Sequence, residues 1–146
     1  MEEAIKYAKI AASLGEVPVG AVVVLNHDII SASHNEVIIR NDPTAHAEIL
    51  AIRKASSFLS SFYLAECDLY TTLEPCPMCA HGISLSRIKK LFFGSYDSKS
   101  GGVDSGPRIF HSTSAHHIPE VYGGFYKEES AAILKDFFLK HRTLKN

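Results

Sequence analysis

The sequence predicts an α/β fold around a mixed β-sheet, and three observations carry that prediction. A nearly continuous apolar, β-branched run is followed by a tight turn and a second extended run. A strand, a helix and another strand succeed one another between Leu69 and Gly94. Apolar residues recur at helical spacing near both ends of the chain.

Taken in order, Glu2 to Leu14 places Ile5, Ala8 and Ala12 on one helical stripe, with acids in the first turn and Gly15 as the stop. Val17 to Leu25 reads as a strand covered on both faces, and Asn26-His27-Asp28 as the turn into a second strand, Ile29 to Ser33. Thr44 is the expected N-cap of a helix running to about Ser57, which puts His46 and Glu48 in its first turn. Leu69 to Leu73 is a strand, Met78 to about Ser86 a helix and Lys90 to Gly94 a strand, so Cys76 and Cys79 straddle a second helix start. The two strands joined by that helix are expected to pair in parallel, and the first two as an antiparallel hairpin. Ser98 to Pro107 reads as a flexible loop, and Glu128 to His141 as a helix with Ile133, Leu134, Phe137 and Phe138 on one stripe.

The chain has 146 residues, 46% of them hydrophobic, which is enough for one substantial core and points to a single domain over 1–146. A formal charge of -1 gives no global basic field for nucleic acid, so any such contact must come from local patches. Met1 to Lys6 lacks a secretory pattern and no apolar stretch reaches bilayer length, so a cytoplasmic protein with no membrane partner is expected. Three cysteines with one close pair favour metal or catalytic chemistry over a disulfide in a reducing compartment.

His46, Cys76 and Cys79 supply three ligands of the kind zinc accepts, and three ligands with an open fourth position mark a catalytic site. One zinc ion per chain is therefore the expected cofactor. Two helix starts favour the thiolates. Glu48, two residues after His46, can reach the water that zinc activates. Zinc lowers the pKa of that water from about 15.7 toward about 7, and the carboxylate can pass its proton to the substrate. The order His46-Ala47-Glu48 followed by Pro75-Cys76-Pro77-Met78-Cys79 is the established signature of zinc nucleobase deaminases.

Glu16-Val17-Pro18-Val19-Gly20-Ala21, Asn41 to Glu48, Leu73-Glu74-Pro75-Cys76 and Ser86-Arg87-Ile88 closely resemble the bacterial tRNA-specific adenosine deaminases, over almost the whole chain. The resemblance implies a three-layer α/β/α sandwich on a five-stranded mixed sheet of the cytidine deaminase type. It implies a homodimer that converts the wobble adenosine of a tRNA anticodon stem-loop to inosine, zinc-bound hydroxide attacking C6 while Glu48 shuttles protons. It also implies that Asn35 hydrogen-bonds the target base, Asp97 contacts its ribose, Lys99 contacts the RNA backbone, and Val17 and Leu73 line the base pocket. The ending Phe137 to Arg142 resembles the family segment that grips the anticodon arm, with Arg87, Lys89 and Lys90 as a further basic patch. Ser98 to Gly106, His116-His117 and Tyr122-Gly123-Gly124 depart from the commonest family pattern.

The zinc motif alone leaves a deaminase of free guanine or cytosine open. A non-catalytic zinc module or a Cys-x-x-Cys redox protein would need no carboxylate at Glu48. Core packing is the expectation for Phe137 and Phe138. Cys67 is expected as a small buried hydrophobe, and His81, His116 and His117 as surface or hydrogen-bonded groups, not further ligands.

Overall fold

The computed structural model describes residues 1–144. Its elements are α1 (Glu2–Ser13), β1 (Gly20–Leu25), β2 (Asp28–His34), α2 (Val37–Arg40), α3 (Ala47–Leu59), β3 (Asp68–Leu73), α4 (Pro77–Ser86), β4 (Lys90–Ser95), β5 (Glu120–Gly123) and α5 (Lys127–Thr143), with a 3-10 turn at Ile109–His111. The strands form one sheet in the order β2-β1-β3-β4-β5. β1 runs antiparallel to β2 and β3, whereas β4 runs parallel to β3 and to β5. The five-stranded mixed sheet is therefore present.

The hairpin turns on Asn26 and His27, both in the left-handed region at φ 49° and 68°, the backbone that matches the twist of two paired strands. α1 lies against β1 and β2, and α5 against β4, on one face; α3 and α4 cover the other. Gly20 is required at the first contact. A Cβ there would meet the backbone nitrogen of Ala8 at 2.6 Å, so α1 rests directly on the strand. On the opposite face Ala47, Ala51 and Ala55 of α3 and Ala80 and Ile83 of α4 pack on Val23, Leu69, Leu91 and Phe93, all buried. Small alanines let both helices approach the sheet closely, which brings the starts of α3 and α4 together.

Four expectations are corrected. β1 begins at Gly20 and not at Val17, because Pro18 has no N–H for the ladder, and the Val19 N–H turns back to the Val17 carbonyl at 2.9 Å. Thr44 does not cap α3. Its N–H and hydroxyl both go to Asp42 Oδ1, at 2.8 and 2.7 Å, and the helix starts at Ala47. Phe137 and Phe138 separate, the first 8% and the second 47% exposed, so only Phe137 is core. The loop after β4 is pinned by a network of hydrogen bonds, described below.

Two short elements, α2 and β5, have no counterpart in the sequence reading. Each is four residues long. Neither is long enough to display a hydrophobic period.

Candidate active site

His46 stands immediately before α3 with an extended backbone (φ -76°, ψ 148°), and its carbonyl accepts the Leu50 N–H at 3.0 Å. Cys76 occupies the same place before α4 (φ -68°, ψ 169°), where Pro77 opens the helix with the fixed φ that a first turn needs. Its carbonyl accepts the Ala80 N–H at 2.8 Å. Only Glu74, Pro75 and Cys76 separate β3 from α4, so the sheet itself sets the position of this turn. Cys79 follows in the first turn of α4, fully buried.

The two sulfurs converge on one imidazole nitrogen. Cys76 Sγ and Cys79 Sγ lie 3.5 and 3.4 Å from His46 Nδ1. The donor atoms of the three residues fall within 4.8 Å of one another, the one group of its kind among the described residues. Tetrahedral zinc, with bonds of about 2.3 Å to sulfur and about 2.0 Å to nitrogen, holds such donors about 3.5 Å apart. The residues fit that ion. Cys67 is not among them: it is 1% exposed and packs in the core, as expected.

Hydrogen bonding from Cys79, and then from His46, pulls the Cys76 thiol down to about 4 against its burial. The same bond to Cys76, reinforced by burial, pushes Cys79 up. The bond to Cys76 also raises His46. Cys79, the buried member of the trio, thus holds a proton that a divalent cation must displace, and metal binding here releases it. Glu48 is 4% exposed, 3.7 Å from Cys79 Sγ through Oε2, and burial raises its pKa. A carboxyl shifted toward neutrality is suited to both taking and giving a proton.

A cavity of about 260 Å³ opens onto these groups. His46, Glu48 and Cys76 line it, as do Val17, Asn35, Leu73 and Asp97. It lies near the small end of ligand sites, which run from about 300 to about 1,000 Å³, as suits one flat ring. Asn35 is 7% exposed, donates to the Val17 carbonyl at 3.4 Å, and its Oδ1 has no partner among the described residues. Asp97 Oδ1 accepts the N–H groups of Lys99 and Ser100 at 3.1 and 3.0 Å. The carboxylate therefore caps a turn as well as lining the wall. Lys99 lies outside that wall, exposed.

Two buried acids that sequence reasoning quoted without a role organise this wall. Glu16, fully buried, accepts the Ile39 N–H at 2.8 Å and so holds α2, whose Val37 and Ile38 face the cavity. Glu74, 2% exposed, accepts the backbone N–H groups of Asp97, Val103, Asp104 and Ser105 at 3.0–3.1 Å and the Ser105 hydroxyl at 2.9 Å. Burial alone would raise its pKa, but these donors outweigh it and hold the carboxyl below its ordinary value. Gly102 completes the junction by donating to the Pro75 carbonyl at 2.8 Å, where a Cβ would meet the Pro77 nitrogen at 2.6 Å. No pattern in the sequence marks either role, because the partners are chiefly backbone amides.

Replacing Glu74 with Ala strands several amide donors against a buried site. The expected loss of stability is about 3 kcal/mol, read by denaturant unfolding, with amide exchange accelerated at Val103 to Ser105. Unchanged exchange at those amides would show that the loop is held by other contacts.

Elsewhere, the Arg87 guanidinium stacks over the Tyr63 ring at 4.9 Å and Lys89 pairs with Glu66 at 3.8 Å, so both have local partners. The His117 ring bonds the Ile88 carbonyl at 2.9 Å and the His117 backbone N–H donates to the Ser84 hydroxyl at 2.9 Å, the hydrogen-bonded role expected of it. His81 and His116 face each other edge to face at 5.7 Å.

A sheet covered by helices on both faces, with a His-Cys-Cys cluster and a buried carboxylate at two helix starts, defines a zinc-dependent deaminase. The chain belongs to the cytidine and deoxycytidylate deaminase family, whose zinc-binding region matches residues 1–95. Over 144 residues it is 50% identical to the tRNA-specific adenosine deaminase of Rickettsia bellii, covering 97% of this chain and 99% of that one. A solved structure from work on A-to-I editing by tRNA:A34 deaminases at the wobble position of transfer RNA superposes with a TM-score of 0.90. It is 48% identical, over 92% of this chain and 97% of that one. The guanine deaminase of Bacillus subtilis is 42% identical over 65% of this chain and 61% of its own, with a TM-score of 0.62. Among the described residues no helix is long and apolar enough to cross a membrane.

Proposed function

We propose that this chain hydrolytically deaminates adenosine to inosine at the wobble position of a tRNA anticodon stem-loop. The observation that carries the reading is one cavity that gathers His46, Glu48 and Cys76 with Val17, Asn35, Leu73 and Asp97. Near-full-length identity to tRNA-specific adenosine deaminases supports it. His46, Cys76 and Cys79 hold zinc, which when bound supplies the Lewis acidity that makes a water nucleophilic near neutral pH.

The remaining work falls to the chain's own groups. Glu48 accepts a proton from the attacking water and delivers it to the ring nitrogen beside C6. It then carries the second proton to the amine, which leaves as ammonia while the C6 oxygen becomes the carbonyl of inosine. Asn35 fixes the base by hydrogen bonding, Val17 and Leu73 cover its faces, and Asp97 meets the ribose. A base bound so deeply must leave its stack, as recognition in an RNA loop requires. Lys99, exposed beyond the wall, contacts the phosphate backbone.

The whole chain acts as one deaminase domain, in the cytoplasm, as a homodimer. A second cavity lined by Ile52, Phe62, Tyr63 and Leu85 supports the dimer, since Phe62 is 75% and nearby Phe58 69% exposed. The test incubates zinc-loaded protein with a tRNA anticodon stem-loop bearing wobble adenosine, in parallel with free guanine, cytosine and cytidine. Inosine in the RNA alone is the expected result; turnover of guanine alone would replace this reading with the free-base one.

A further inference from the structure

α2 is a single helical turn, yet it stands firm. One turn cannot hold itself, because nucleating a helix costs more than its first hydrogen bonds return. Here the Glu16 carboxylate grips the Ile39 N–H at 2.8 Å from a fully buried position. The Asp42 N–H returns to the Val37 carbonyl at 3.1 Å, and the Glu36 N–H bonds the Ala45 carbonyl at 3.0 Å. This framework presents two isoleucines to solvent, Ile38 at 70% and Ile39 at 57% exposed, beside Arg40, which pairs with Glu36. Ile38 also lines the catalytic cavity and Ile39 follows it on the same turn, so the turn stands at the rim.

We infer that Ile38 and Ile39 form an apolar wedge that packs against the base next to the target nucleotide. The inference rests on the proposed RNA substrate. A base drawn into the cavity leaves its neighbour with one face unstacked. The chain that connects them must pass over the rim, and aliphatic side chains are among those that fill such gaps between bases. A free base or nucleoside has no such neighbour, so the wedge is a device for a polymer. The buried Glu16 points the same way: an ion-capable group committed to fixing the turn that carries two exposed isoleucines makes sense only if their position matters.

The test crosses protein and RNA changes in zinc-loaded protein. The variants are Ile38→Ser, Ile39→Ser and Ile38→Met, and the stem-loops are intact or abasic on the 5′ or the 3′ side of the wobble adenosine. Both positions are exposed, so folding and zinc content are expected to hold. The serine variants should raise KM for the intact stem-loop about tenfold, with kcat within about twofold, and Ile38→Met should recover most of the loss. Removing the packed neighbour base should cost the wild type about tenfold in KM and cost the serine variants no more. An unchanged KM in the serine variants, or losses that multiply at both neighbours, would overturn the wedge while leaving wild-type inosine formation intact. Subunit dissociation of the serine variants on a sizing column would also overturn it, by assigning the face to a second copy of the chain. If the wild type made no inosine in the intact stem-loop, the substrate reading itself would fail.

Discussion

Glu48→Gln is expected to lower kcat for wobble inosine formation by about 10³-fold, within the range that general acid–base groups contribute, while zinc content and fold persist. Gln keeps the shape of the side chain and removes the titratable oxygen, so it isolates proton transfer from packing. The same change should not weaken the fold. Burial raises the Glu48 pKa, so the native state holds its proton to higher pH than the unfolded chain does. With a raised native pKa, the proton-linked stability is complete below the ordinary value of 4.5 and falls as pH rises through the folded value. At neutral pH the neutral amide escapes that penalty, and Glu48→Gln should unfold at the same or a higher denaturant concentration than the wild type. A variant that kept more than a tenth of wild-type kcat would remove Glu48 from the proton path.

The second large effect concerns the metal. Cys79→Ala is expected to abolish stoichiometric zinc, measured by atomic emission on dialysed protein, and with it all detectable inosine formation. Cys79 is the fully buried member of the trio, so its removal cannot be made good by a solvent-exposed donor. Chelation of the wild type should give the same inactive state and zinc should reverse it, whereas zinc should not rescue the variant. Because the ligands bind the ion deprotonated, affinity should fall as pH drops. Cys67→Ser is the internal control: it lies in the core outside the cluster and should retain zinc. Loss of metal on that change would make Cys67 a fourth protein ligand.

Much of this was legible in the chain because the chemistry demands particular residue types at particular spacings. The convergence of His46, Glu48, Cys76 and Cys79 was readable, since a catalytic zinc site needs such donors near helix starts. The long elements were readable from periodicity, and their ends moved where local chemistry intervened, as with Pro18 before β1 and the Asp42 to Thr44 turn before α3. The glutamates at 16 and 74 were not readable. Each acts on backbone amides far along the chain, 23 to 31 residues away, and a side chain that binds main chain leaves no pattern in the partner's sequence. β5 was missed for a related reason: its pairing with β4 involves backbone, and four residues carry no period.

That mode of attachment has a consequence for how such an enzyme changes. The Glu74 carboxylate holds the segment from Asp97 to Ser105 chiefly by amides that every residue except proline possesses. Exposed side chains there, such as Ser98 and Asp104, are free to vary so long as Asp97, the buried Val103 and the tight glycine contacts at 101 and 102 are kept, and the zinc turn at Cys76 need not register the change. The rim beside the cavity is in this sense a replaceable part mounted on a fixed catalytic chassis. A lineage can reshape that rim through drift in the segment without passing through an inactive intermediate.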